Sequence, residues 1–478
     1  MSTYKTISGV NEGVSVERLR FFTHTGYIGC IEDKDLSAPP ASPEFGAAYI
    51  VASGATGPWE GKEKQLAIWN GIAWQFVEPT NGLSVYVRDE GMFYFFNSTT
   101  WQKMSEAFSI VHITPSMSSA EFKSAIEGAS NRIVLCTPGT YTLTYDTTGI
   151  SDYSVITLPQ NCIIVAFGAE IKFRYSNTNG NSTQRFVRIN QKGCMIMGGT
   201  WWIDRTNSAG GSSRRLFYVD NGADPLFYKC RIANSSGAPG VTLDGSGTFG
   251  LFIGCLFKPV QSYWIDGQFI YVASGASIDV LGCIFDGNAP DGARGCNMGI
   301  EHDSQSRRTI IRNATFRYLL MGIRITHYGW GADQYYVHIS DCDFIGMRNT
   351  GSGDYSSILF ALVNTDRRLF DVTIENCKFE GGNSSSGQIG VITNASYQYG
   401  LKNLVIRNCD FVASSAYGTA GYALYFPAYS ESPDTYDRKN EIAEISGCNI
   451  RGSYYYKPLN IHPDILANIG KFDVRIYS

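Results

Sequence analysis

The sequence predicts an all-β protein whose larger part is a parallel β-solenoid. Three observations lead there: a composition suited to strands and turns, a bend motif that recurs with the same residue type in each column, and variable spacing between the recurrences. The chain has 478 residues, of which 17% are charged and 13% aromatic, with 51 Gly and 29 Tyr. Ordinary globular chains carry about 25% charged residues. Few charges and many aromatics exclude a disordered chain. The makeup also lacks the Ala, Glu, Lys and Leu excess of a coiled coil.

Charge narrows the partners. Lys and Arg number 39 against 43 Asp and Glu, for a net charge of −4. No basic surface is implied, so nucleic acid is not an expected partner. No apolar run approaches the roughly 18 residues of a membrane span, so no membrane insertion is expected. The N-terminus, MSTYKTISGVNEGVSVERLR, lacks the apolar core of a secretory signal. A protein of this kind acting outside a cell would be released by a route other than the general secretory pathway.

The first structured region is read from residue 38. Pro39, Pro40 and Pro43 open a stretch of short apolar runs separated by Gly, Asn and Pro turns. Trp59, Trp69, Trp74 and Trp101 are expected to pack the core of a small β-domain. SSAEFKSAIEGAS (118–130) then reads as a short amphipathic helix, with Phe122, Ala125 and Ile126 on one face. NRIVLCTPGTYTL (131–143) follows as a strand, a Pro-Gly turn and a second strand. A helix here would cover the unpaired first edge of the solenoid.

The repeat fills the rest. PLFYKCRIAN (225–234), GLFIGCLFKP (250–259), IDVLGCIFDG (278–287), TIIRNATFRY (309–318), VHISDCDFIG (337–346), VTIENCKFEG (372–381), LVIRNCDFVA (404–413) and AEISGCNIRG (443–452) share one pattern. Three residues before the Cys column the residue is always Phe, Val or Ile, and two after it is always Phe or Ile. The residue just before the column is Gly, Asn or Asp, with Lys229 the exception. These types enter the left-handed backbone region most readily. Each repeat is therefore a strand, a sharp bend and another strand. Cys suits a tight internal stack as a small hydrophobe, and a disulfide ladder is the competing reading of the same column. Counted from 168, the column recurs at intervals of 25 to 39 residues. A constant unit with variable spacing means loops of different length on a fixed coil.

The helix, the LCTPGTYTL segment and the coils resemble the right-handed parallel β-helix of the pectate-lyase-like superfamily, over about residues 110–478. Residues 38–104, with PPASPEFGAAYIV and GATGPWEG, resemble an uncharacterised domain of bacteriophage tail proteins. Joined, the two parts resemble a phage tailspike. The resemblance implies a particle-attachment segment at 1–37, a small β-domain at 38–105, a linker and capping helix at 106–130, and a right-handed parallel β-helix at 131–478. It also implies a homotrimer attached to a phage tail or baseplate protein, located in the virion and acting at the host surface. The implied ligand is a bacterial surface polysaccharide, capsule or lipopolysaccharide, both bound and cut. No cofactor is implied.

Cutting a glycosidic bond by hydrolysis needs two carboxyl groups. The strands VTLDG (241–245), GIEHDS (299–304), GIRITH (322–327) and GVITN (390–394) were aligned for acids on one face. Setting Ile300 beside Ile323 sends Glu301 and Asp303 outward, places Arg324 next to Glu301, and puts Asp244 two coils earlier. Carboxylates at i and i+2 on a strand have Cα atoms ~6.8 Å apart, so either hydrolytic geometry is reachable. Glu301, Asp303, Arg324 and Asp244 are thus the candidate catalytic residues. His302 points inward in this register and reads as packing. Substrate-binding candidates are His327, Tyr328 and Trp330 in one loop and Tyr263, Trp264 and Asp266 in another, where aromatic faces suit sugar rings. No His or Cys spacing suggests a metal site. Two other functions remain open at this point: a non-catalytic receptor-binding or structural tail protein, and a polysaccharide lyase with Arg324 as base.

Overall fold

The computed structural model describes residues 27–103, 110–145, 154–175, 185–204, 215–233, 240–260, 267–288, 296, 298–303, 308–327, 334–347, 356–362, 369–381, 390–393, 401–414, 421–426, 441–454 and 457–477. The chain divides into two compact units, Met1–Ser109 and Ile110–Ser478.

The first unit holds two small sheets. Ala48–Ile50, Leu66–Trp69 and Trp74–Val77 form an antiparallel three-stranded sheet. Tyr27–Ile31, Ser84–Val87, Met92–Phe96 and Trp101–Lys103 form a four-stranded one. Two turns are built alike. Asn70 Oδ1 accepts from the backbone N–H groups of Ile72 and Ala73, and Asn97 Oδ1 from those of Thr99 and Thr100. Each Asn turn delivers a Trp four residues on, Trp74 and Trp101. Trp59 is fully buried and meets Trp74 edge-on at 5.0 Å, while Trp74 also contacts Trp69 at 5.2 Å. Trp101 packs on Phe96 and donates its Nε1–H to the Lys64 carbonyl at 2.8 Å. The strand Tyr27–Ile31 pairs in parallel with Ser84–Val87, so β-structure in this unit begins before residue 38. Its partner lies over fifty residues away in the chain, beyond the reach of local turn signals.

The second unit is a right-handed parallel β-helix. It opens with Ile110–Ile113 paired in parallel to Ile133–Cys136, the helix Ser119–Glu127 lying between them in sequence. That helix starts where a capping box fixes it. Ser118 Oγ accepts from the Glu121 N–H at 3.3 Å, and a Glu121 carboxylate oxygen accepts from the Ser118 N–H at 2.8 Å. Its Phe122 and Ile126 are buried in the first layer of the solenoid core.

In the last full coil Ile442–Gly452 runs through the bend as one strand, but each coil from Ile133 to Phe426 supplies three strands. The first two join at a left-handed bend, and the third belongs to a separate eleven-stranded parallel sheet. The residue before the Cys column has positive φ in every repeat: Lys229, Gly254, Gly282, Asn313, Asp341, Asn376, Asn408 and Gly447. Lys229 therefore adopts the bend although its side chain does not favour it. The Phe column is a continuous stack. Phe257, Phe285, Phe316, Phe344, Phe379 and Phe411 lie ring over ring at 4.6 to 4.9 Å and within 7° of parallel. That spacing is the strand-to-strand distance of a sheet, so aromatic contact and backbone pairing reinforce each other.

All twelve cysteines are free. The Cys-column thiols point along the stack: Cys230 Sγ donates to the Ile196 carbonyl at 3.2 Å and Cys255 Sγ to that of Phe227 at 3.4 Å. Parallel coils aim these side chains the same way, which leaves no pair facing for a disulfide.

Candidate functional site

The site sits on the outer face of the eleven-stranded sheet. Its central strands are Arg185–Ile189, Arg215–Val219, Val241–Asp244, Gln268–Ala273, Met298–Asp303 and Met321–His327. The inner face is pinned by close packing. A Cβ on Gly299 would lie 2.5 Å from the Gly322 carbonyl oxygen and 2.8 Å from the Phe316 ring. Glycine lets this sheet approach the Phe stack and fixes which residues of the strand face out.

Backbone pairing then lines up two outward columns. One runs Arg188, Tyr218, Thr242, Tyr271, Glu301, Arg324. The other lies two residues further along each strand and includes Asp220, Asp244, Ala273, Asp303 and Thr326. Ile300 pairs with Ile323, so Glu301 stands beside Arg324 and Asp303 beside Thr326. Asp244 lies two coils before Asp303.

The carboxylates are held by cross-coil contacts. Arg324 Nη1 donates to Glu301 Oε1 at 3.1 Å, and the Gln268 amide donates to Glu301 Oε2 from the preceding coil. Glu301 is almost buried at 8% exposure, whereas Asp303 is half-buried. The Tyr271 hydroxyl donates to Asp303 Oδ2 at 2.5 Å. One coil pair earlier the same diagonal recurs, with the Tyr218 hydroxyl donating to Asp244 Oδ2 at 2.5 Å. Burial and the adjacent Asp303 both hold the Tyr271 phenol well above its ordinary range, so it stays a donor. The two acids thus sit in different settings, one clamped by a cation and an amide, the other by a phenol.

His302 lies between them in sequence and faces the core. It is 1% exposed, and its Nε2 shares a 2.6 Å hydrogen bond with the Thr309 hydroxyl. Burial pushes its pKa down to about 3, so the ring is neutral.

His327 ends its strand, while Tyr263, Trp264, Asp266, Tyr328 and Trp330 lie outside the described residues. Gln268, Tyr271 and Tyr218 were not singled out from the sequence. Aligning RFVRI (185–189), RLFYV (215–219) and QFIYVA (268–273) with the acid-bearing strands would have placed the two tyrosines in the Glu301 column. Among the described residues, no group of three or more His, Cys, Asp or Glu is arranged to hold a metal ion. None of their helices is long and apolar enough to cross a membrane.

Residues 27–102 match the model of a family described as a protein of unknown function, DUF2793. No curated protein matches the chain. Among solved structures, the chain is similar to the tailspike protein of E. coli bacteriophage HK620 in complex with a pentasaccharide. Identity is 12%, over 75% of this chain and 69% of that one, with a TM-score of 0.48. It is also similar to ORF18 of Geobacillus virus E2, at 13% identity over 80% of this chain and 75% of that one, TM-score 0.34. A third similar structure is the A-module of the Azotobacter vinelandii mannuronan C-5 epimerase AlgE4, at 12% identity over 74% and 91% of the two chains, TM-score 0.34.

Proposed function

We propose that the protein is a phage tailspike that binds a bacterial surface polysaccharide, capsule or lipopolysaccharide, and cleaves it by glycoside hydrolysis. The observation that carries this reading is the pair Glu301 and Asp303 on one outward strand face, each oriented by side chains from neighbouring coils. One carboxyl would protonate the leaving oxygen, and the other would attack the sugar or activate water. Arg324 and Gln268 position Glu301, and Tyr271 positions Asp303. The Arg324 guanidinium is engaged in an ion pair with Glu301, which favours hydrolysis over elimination with Arg324 as base.

Attachment to a phage tail or baseplate protein through the N-terminal unit, and a virion location, belong to the same proposal. So does a homotrimer. It is supported by the outer face of the first sheet, where Ile133, Ile163, Met195, Leu226 and Leu251 stack coil upon coil, all half-buried. Beyond Leu251 the same column turns to Asp279. An apolar stripe about 19 Å long suits the centre of a self-interface better than open solvent. Mass measured by light scattering tests it: three chains are expected, and a monomer overturns the trimer.

The experiment for function is a pair of variants. Glu301→Gln and Asp303→Asn should abolish oligosaccharide release while leaving polysaccharide binding intact. One observation favours a second reading, a purely binding protein: both carboxylates are already hydrogen-bonded within the chain. A binder would never release oligosaccharide.

A further inference from the structure

The same outward face carries a basic cluster that the hydrolytic pair does not use. Arg185 and Arg215 are direct neighbours on adjacent coils. The Arg185 guanidinium lies over the Tyr218 ring, its carbon 3.3 Å from the ring centre, and that of Arg215 is 5.2 Å from the same centre. The nearby acid is already committed: Asp220 takes two hydrogen bonds from Arg188, at 3.1 and 2.9 Å, and is 4.0 Å from Arg185. Asp244 accepts from Tyr218. Arg215 makes no hydrogen bond or ion pair among the described residues, and the buried Nε atoms of Arg185 and Arg215 have no partner. Burial, together with the like charge of Arg215 and Arg188, pulls Arg185 below its ordinary range. Three guanidiniums therefore meet two carboxylates, with two of the three stacked side by side on one phenol.

Stacking on Tyr218 holds the planar groups in place and leaves their terminal N–H donors for a partner. Two adjacent guanidiniums suit an oxyanion, which would relieve their repulsion and take paired hydrogen bonds. The position fits a long ligand. Tyr218 is three coils from Glu301 in the same column, about 14 Å at the coil spacing.

We propose that Arg185 and Arg215, stacked on Tyr218, form a subsite for the anionic group of an acidic sugar a few residues along the polysaccharide from the bond cleaved at Glu301 and Asp303. This rests on the polysaccharide reading above and adds the substrate class: an acidic glycan, carrying a uronate or other carboxylate, a phosphate or a sulfate.

The test uses the full chain and immobilised capsular polysaccharides and lipopolysaccharides from a panel of bacteria, each native and after chemical reduction of its carboxyl groups. Binding is measured by surface plasmon resonance at 50 and 200 mM salt. The glycan bound by the wild type is expected to be acidic. Arg215→Met, which keeps the apolar stem, is expected to weaken binding about tenfold or more and to flatten its salt dependence. Arg185→Met should do the same, and Arg215→Lys should fall between, because it keeps the charge and loses the fork. A matching loss on carboxyl reduction identifies a carboxylate. Retained binding after reduction, with Arg215→Met still weak, identifies phosphate or sulfate. A neutral bound glycan, or both Met variants binding like wild type, overturns the subsite while leaving the polysaccharide reading standing. No binding by the wild type to any glycan overturns the polysaccharide reading, and the subsite falls with it.

Discussion

His302 makes the strand that carries both acids sensitive to pH. Its ring is buried and neutral, with a pKa of about 3, against 6.5 for an ordinary His. The unfolded chain binds the proton that the folded chain refuses. Stability is therefore full above about pH 6.5 and falls as pH drops from there towards 3. Each unit in that window is worth about 1.4 kcal/mol, so the loss from this residue is about 2 kcal/mol at pH 5 and about 5 kcal/mol across the whole window. His302→Gln removes the titration and keeps a group that can reach the Thr309 hydroxyl. Urea unfolding followed by circular dichroism should show the wild type losing about 2 kcal/mol more than the variant between pH 7 and pH 5. A difference between the two proteins that does not change with pH refutes the reasoning. So does an imidazole resonance of His302 that titrates near 6.5 in the folded protein.

Three further outcomes follow from the packing. Phe316 is fully buried between Phe285 at 4.6 Å and Phe344 at 4.9 Å, so Phe316→Ala should destabilise the β-helix by about 3–5 kcal/mol in chemical denaturation. Gly299→Ala would drive a methyl to 2.5 Å from the Gly322 carbonyl oxygen, and it should cost about 1–3 kcal/mol and lower the melting temperature. Cys30 is exposed while the other eleven cysteines are buried, so a thiol reagent should modify one cysteine in the native protein and twelve after unfolding.

The coils were legible because each one repeats a local requirement. A left-handed bend asks for Gly, Asn or Asp, and the stack on either side asks for an apolar residue, so eight copies of one short pattern declare the fold. Lys229 shows the limit of that logic: the coil imposes positive φ on a residue whose type does not announce it. The capping helix was legible from Phe122, Ala125 and Ile126, and Ser118 and Glu121 fix its start. The pairing of Glu301 with Arg324 could be read because Gly-Ile recurs in both strands. The Gln268, Tyr271 and Tyr218 contacts could not be read in the same way. They cross between coils joined by loops of unequal length, and the strands that carry them, QFIYVA and RLFYV, lack that Gly-Ile marker. The strand Tyr27–Ile31 escaped for a related reason, since nothing in its neighbourhood announces a parallel partner at Ser84–Val87.

The most direct measurement is oligosaccharide release from purified capsule and lipopolysaccharide of a panel of bacteria, by wild type, Glu301→Gln and Asp303→Asn. The wild type should release discrete oligosaccharides with new reducing ends from the glycan it binds. Each variant should bind that glycan as well and release it at least about a hundredfold more slowly. Release undiminished in both variants, or tight wild-type binding with no release from any glycan, would contradict hydrolysis at Glu301 and Asp303.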